Sequence, residues 1–86
     1  MRRFESIFGK VVKKRRRRLG LSQESLGFLS GLHRTYISEI ERGQKSPSLR
    51  AIVAIAQALD INASELILLA EKKQALIAVD TDEAGG

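Results

Sequence analysis

Ser22-Gln23-Glu24-Ser25-Leu26-Gly27-Phe28-Leu29-Ser30-Gly31-Leu32-His33-Arg34-Thr35-Tyr36-Ile37-Ser38-Glu39-Ile40-Glu41-Arg42-Gly43 decides the fold of this chain. At helical spacing the stretch reads as two short helices hinged at Gly31. Ser22 is placed to cap the first, and Gly43 ends the second. The second helix, Arg34 to Arg42, is two-faced. Advancing roughly 100° per residue, Arg34, Thr35, Ser38, Glu39 and Arg42 fall within an arc of about 140°, with Ile37 and Ile40 almost opposite. Tyr36 and Glu41 lie on the two borders. One face is suited to anchoring in a core, and the other is offered outward.

The outward set has the chemistry of base recognition. An arginine such as Arg34 can pair bidentately with guanine. Thr35 and Ser38 can donate or accept, and a threonine methyl can meet the methyl of thymine. Glu39 can accept from a cytosine amine but otherwise repels phosphate, so its presence argues for selectivity over raw affinity.

Outside this segment the apolar pattern continues at helical spacing. Phe4, Phe8, Val12, Arg16 (or Arg15) and Leu19 define a stripe on a first helix over 4–18, with Gly9 a weak spot by propensity. Gly20 follows as a left-handed C-cap, and the basic run before it suits the negative end of the helix dipole. Leu26 and Leu29 belong to the second helix. After a loop containing Pro47, Ser48 caps a fourth helix with Leu49, Ile52, Ile55, Ala56 and Leu59 on it. Asn62 and Glu65 form a capping-box pattern that opens a fifth helix through Leu66, Leu69 and Ala70. The expected fold is therefore all-α, with five helices. Residues 1–74 form the main domain. Residues 75–86 are a C-terminal segment, in which Ala75–Val79 either extends the fifth helix or pairs with another chain, and an acidic tail then frays.

Arg16 lies on an apolar stripe, where an unpaired charge is costly. Glu41, bordering the buried face of the third helix, is its natural partner and would fasten the first helix to the outward-facing unit. The alternative is that Arg16 snorkels to solvent.

Charge is unevenly spread within the net +5. Residues 1–18 carry nine Lys/Arg against Glu5, while residues 60–86 carry Lys72 and Lys73 against six acids. A basic end on so small a body implies a positive face toward a polyanion. There are no cysteines and only one histidine, His33, which removes disulfides, thiolate chemistry and zinc knuckles. No catalytic dyad, metal cluster or phosphate loop is apparent, so neither an enzyme nor a cofactor is expected. No apolar run approaches the roughly 18 residues needed to span a bilayer, and the N-terminus lacks a secretion signal's apolar region. Cytoplasmic residence fits.

Leu21-Ser22-Gln23-Glu24, Gly31, Tyr36-Ile37-Ser38, Ile40-Glu41-Arg42-Gly43, Pro47-Ser48-Leu49 and Leu59 together resemble the Cro/CI-type (XRE, lambda-repressor-like) helix-turn-helix family over about residues 8–70. The resemblance implies a five-helix DNA-binding domain with the motif at helices 2 and 3. It makes Arg34, Thr35, Ser38 and Glu39 base readers and Gln23 a phosphate contact that braces the reading helix. Tyr36, Arg42 and Lys45 fall near the DNA backbone, and Arg16 with Glu41 match the family's buried ion pair. Two positions depart from the pattern. Leu29 stands where a small or polar residue is usual, which suggests contact with something else. His33 replaces a Ser or Thr cap and is a weaker substitute.

The third helix is then expected in the major groove of double-stranded DNA, with the N-terminus of the second on the backbone. Arg15, Arg17, Arg18 and Lys45 would add phosphate contacts without sequence information. One such module reads few base pairs, so a homodimer on a twofold site is expected. Ile67, Leu68, Leu76, Ile77 and Val79 are the candidates for its seam, unless some of them complete the monomer's own core. The function expected is that of a transcriptional regulator. The alternative is an antitoxin-like module that grips a toxin or other partner protein and regulates its own operon.

Overall fold

In the computed structural model, which describes residues 3–85 and side chains as far as residue 77, five helices follow one another. They are α1 (Phe4–Arg18), α2 (Gln23–Ser30), α3 (Arg34–Glu41), α4 (Leu49–Ala58) and α5 (Ala63–Gly85). No strand occurs among the described residues. α1 packs on both α3 and α5, α2 on α3 and α4, and α4 on α5. Ile7, Phe8, Val12, Leu26, Ile37, Ile40, Ile55, Leu59 and Leu66 are the large side chains fully enclosed between them.

Local chemistry sets most of the boundaries. The Ser22 hydroxyl accepts from Ser25 N at 2.9 Å, and the Ser48 hydroxyl accepts from Ala51 N at 3.1 Å, so the two expected serine caps form. Arg42 is the C-cap of α3 and not its last turn. The backbone of α5 is helical without a break through Gly85, so residues 75–79 prolong the helix and are not an extended segment. The fraying expected after residue 79 concerns a stretch described by backbone alone, and that backbone is helical to residue 85.

Four leucines of the apolar pattern, Leu19, Leu29, Leu49 and Leu69, are exposed. Leu19 is exposed because it is the C-cap of α1, where the stripe has already ended. Leu49 is exposed because it opens α4 ahead of the first turn that meets the core. Ile7 and Val11 are buried instead. A helix that contacts two neighbours has an apolar arc wider than one stripe.

Gly9 is a packing requirement. A Cβ there would collide with the carbonyl oxygen of Ile40 and lie 2.6 Å from that of Glu41. The missing side chain lets the α1 and α3 backbones touch at their crossing, an advantage that helix propensity does not register.

Beside that crossing lies the charged core of the domain. Arg16 Nε donates to Glu41 Oε2 at 2.6 Å, and Nη2 donates to Oε1 at 3.0 Å. Nη1 donates to the carbonyl of Leu21 at 2.8 Å, and Gln23 Nε2 donates to Glu41 Oε1 at 3.1 Å. Arg16 is 8% exposed and Glu41 6%. No buried side-chain polar atom among the described residues lacks a partner. The fork-to-fork geometry and the two extra bonds are what make such a buried pair tolerable.

Two stability measurements follow. Gly9→Ala gains about 1 kcal/mol of helix propensity but overpacks a backbone contact at a cost of roughly 1–3 kcal/mol. Thermal unfolding should therefore show a lower Tm, and a raised Tm contradicts the close crossing. Glu41→Ala leaves the Arg16 guanidinium buried and unpaired and should cost about 3–5 kcal/mol. A wild-type Tm for that variant contradicts the buried pair.

Candidate nucleic-acid interface

The turn between α2 and α3 is built by two glycines with different tasks. Gly31 takes φ +72°, a left-handed conformation that a side chain disfavours. Gly27 lies under the departing chain, where a Cβ would stand 2.7 Å from the carbonyl oxygen of Leu32. Leu32 N in turn donates to Gly27 O at 3.0 Å and closes the turn. His33 then caps α3, its Nδ1 accepting from Thr35 N at 3.0 Å. The histidine thus meets a backbone donor at the helix start, as a serine or threonine hydroxyl would.

α3 buries Ile37 and Ile40 completely. Its opposite side presents Arg34, Thr35 and Arg42 as exposed residues, with Ser38 and Glu39 half-buried between them. The two faces read from the sequence are therefore the two faces observed. Arg42 Nε donates back to Ser38 O at 3.3 Å, which lays the guanidinium along the C-terminal end of α3. Lys45 Nζ lies 3.7 Å from Glu39 Oε1. That pairing tempers the one acidic side chain on the outward face. Helical spacing alone shows neither this partner nor the reach of the lysine from beyond the helix.

Gln23, at the first turn of α2, holds Glu41 through its amide and so ties the start of α2 to the end of α3. A cleft of about 450 Å³ opens between the N-termini of these two helices, lined by Arg16, Ser22, Gln23, Glu24 and Arg34. Helix N-termini favour anions, and Arg34 adds a cation there. Tyr36 is half-buried against the core, and its hydroxyl accepts from Ser48 N at 3.4 Å, at the start of α4.

The basic end of α1 divides its duties. Arg15, expected at phosphate, is turned inward. Its Nε donates to the carbonyl of Leu59 at 3.0 Å and its Nη2 to that of Asp60 at 3.2 Å. It satisfies carbonyls at the C-terminal end of α4, where Asp60 takes a positive φ of 56°. Arg17 and Arg18 are exposed. Arg18 borders a groove between α1 and α5, and Arg17 does not line it.

The five seam candidates do not share one face. Ile67 and Ile77 are half-buried against the monomer core. Leu68 and Leu76 are exposed, and at roughly 100° per residue they stand about 80° apart around α5. The side chain of Val79 lies outside the described residues. Adjacent apolar residues on a helix diverge, so a run such as Leu76-Ile77 divides between core and surface.

Sequence reasoning misses Phe28, which is 86% exposed. Its offset of two positions from the buried Leu26 is the available signal. Leu29 is exposed beside it, as its departure from the family pattern suggests. No single helix among the described residues is long and apolar enough to cross a membrane.

Comparison with known proteins agrees with this geometry. Residues 12–66 match the helix-turn-helix family. The control protein C.BamHI of Bacillus amyloliquefaciens is 44% identical over 62 residues, 71% of this chain and 76% of that one. The restriction-modification controller protein C.AhdI of Aeromonas hydrophila superposes with a TM-score of 0.71 at 48% identity, covering 72% of this chain and 94% of that one. The clp gene regulator ClgR of Corynebacterium glutamicum reaches a TM-score of 0.88 at 25% identity, over 96% of this chain and 88% of that one. With its Gly31 turn, its isoleucine-anchored α3 and these relatives, the chain belongs to the helix-turn-helix family.

Proposed function

We propose that this chain is a sequence-specific, double-stranded-DNA-binding transcriptional regulator of the cytoplasm that works as a homodimer on a twofold operator. The carrying observation is the two-sided α3. Its isoleucines are enclosed, its Arg34, Thr35, Ser38 and Glu39 side faces outward, and the Arg16–Glu41–Gln23 network fixes its attitude. The relatives are named as control proteins and transcriptional regulators, which favours this reading over a toxin-binding module and over an enzyme.

In this reading α3 enters the major groove, and Arg34 takes the bidentate position against guanine. Thr35, Ser38 and Glu39 read neighbouring base edges, with Lys45 holding Glu39 in place until phosphate is near. Gln23, Tyr36, Arg42 and Lys45 meet the backbone around the groove, and Arg17 and Arg18 add charge from α1. Half-sites about 34–36 Å apart, or a multiple of that, suit a twofold pair of such modules. Selection of bound duplexes from a random pool tests the whole reading: a palindromic consensus supports it, and enrichment of no sequence contradicts it.

Individual side chains separate into two behaviours. Arg34→Ala should cost about 1–3 kcal/mol on the selected duplex and relax preference at one base position. Equal losses on selected and random duplex would remove Arg34 from the base readers. Replacing Arg17 and Arg18 by Ala together should weaken binding to all sequences and make the salt dependence shallower, by up to about 0.9 in logarithmic slope for each phosphate no longer neutralised. An unchanged slope places both arginines in solvent.

A further inference from the structure

His33 has one more hydrogen-bonding group than its cap uses. At the backbone it does for α3 what the serine hydroxyls do for α2 and α4. The difference lies in what is left over. A ring nitrogen accepts from a backbone N–H only through an unprotonated lone pair, so Nδ1, which accepts from Thr35 N at 3.0 Å, carries no proton. The same bond excludes the imidazolium, in which both nitrogens donate, and in the neutral ring the proton is on Nε2. The cap therefore fixes the tautomer. The Nε2–H makes no hydrogen bond among the described residues, and His33 is exposed. The two ring nitrogens diverge, so a ring whose Nδ1 is turned to the first turn of α3 points its Nε2–H away from that helix.

We propose that His33 is a further base reader, whose Nε2–H selects a hydrogen-bond acceptor in the major groove. This inference rests on the regulator reading above and adds a residue to its reading set. When a helix-turn-helix docks, the N-terminal residues of its second helix meet base edges. His33 stands at that end of α3, directly before the exposed Arg34 and Thr35. A serine cap would end at its hydroxyl, close to the helix backbone, whereas the imidazole caps and still reaches across its ring. With Nδ1 occupied, the outward group is a donor only. Guanine offers N7 and O6, adenine N7 and thymine O4, but cytosine presents a donor. The contacted base is therefore G, A or T and not C. Consecutive residues are about 3.8 Å apart and successive bases about 3.4 Å, so this base neighbours the one taken by Arg34. The ring is neutral, so the contact adds sequence preference without adding charge against phosphate.

The full-length wild-type chain and its H33S variant, compared at pH 8, test this. Serine keeps a side-chain cap and removes the Nε2–H, so thermal unfolding should give H33S a Tm at or above that of wild type. Its affinity for the duplex selected by wild type should fall about three- to tenfold, the loss of one neutral hydrogen bond. Affinity for random duplex and the salt slope should stay as they are, because no charge is removed. H33T, with the other hydroxyl cap, should match it. Selection from a random pool should return the wild-type consensus with one position relaxed, beside the position that Arg34→Ala relaxes. Replacing the preferred base at that position by cytosine should weaken wild type more than H33S, by about the same factor. An H33S consensus identical to that of wild type, additive losses in this cycle, or equal losses on selected and random duplex overturn the proposal and leave the regulator reading standing. A wild-type chain that enriches no sequence overturns both.

Discussion

The buried pair of Arg16 and Glu41 is the constraint on which the rest of the domain depends. One guanidinium, with three of its nitrogens engaged, joins α1 to the last turn of α3 and to the carbonyl of Leu21 ahead of α2. Gln23 closes the ring from α2. Three helices meet at one carboxylate, so the direction in which α3 projects is set by hydrogen bonds as well as by isoleucine packing. Hydrogen bonds are directional where apolar contact is not. A short helix of eight residues has little stability of its own. Its orientation has to be imposed from outside, and the bidentate pair beside the Gly9 crossing imposes it.

In the proposed reading, affinity and selectivity come from different places. Arg17 and Arg18 of α1 are exposed, and in that reading they attract phosphate without reading a base. The outward face of α3 is itself net positive, with Arg34, Arg42 and Lys45 set against Glu39. Residues 60–86 carry the opposite sign, with Lys72 and Lys73 against six acids.

What could be read from the sequence was whatever a helix repeats. The spacing of Ile37 and Ile40 against Arg34 and Ser38 foretold both faces of α3, and Ser22, Ser48 and Gly31 marked ends that the structure keeps. The Arg16–Glu41 pair was legible because a charge on an apolar stripe demands a partner. Contacts between elements left no such mark. Gly9 has the look of a flaw until α3 is seen against it, since propensity describes one helix at a time. Arg15 is indistinguishable from its neighbours in a run of four arginines, because its partners are backbone carbonyls. On α5 an apolar run hides the division between Ile77, turned to the core, and Leu76, turned away from it.

The central claim is that α3, held by the ion pair, reads base edges. Fluorescence anisotropy titrations of wild-type protein on a selected duplex and on its scrambled counterpart, across a salt series, test it most directly. The account predicts that the selected duplex binds at least about a thousandfold more tightly near physiological salt. It also predicts that the gap persists after the shared phosphate contribution has been screened away. Equal affinities for the two duplexes at every salt concentration would contradict it.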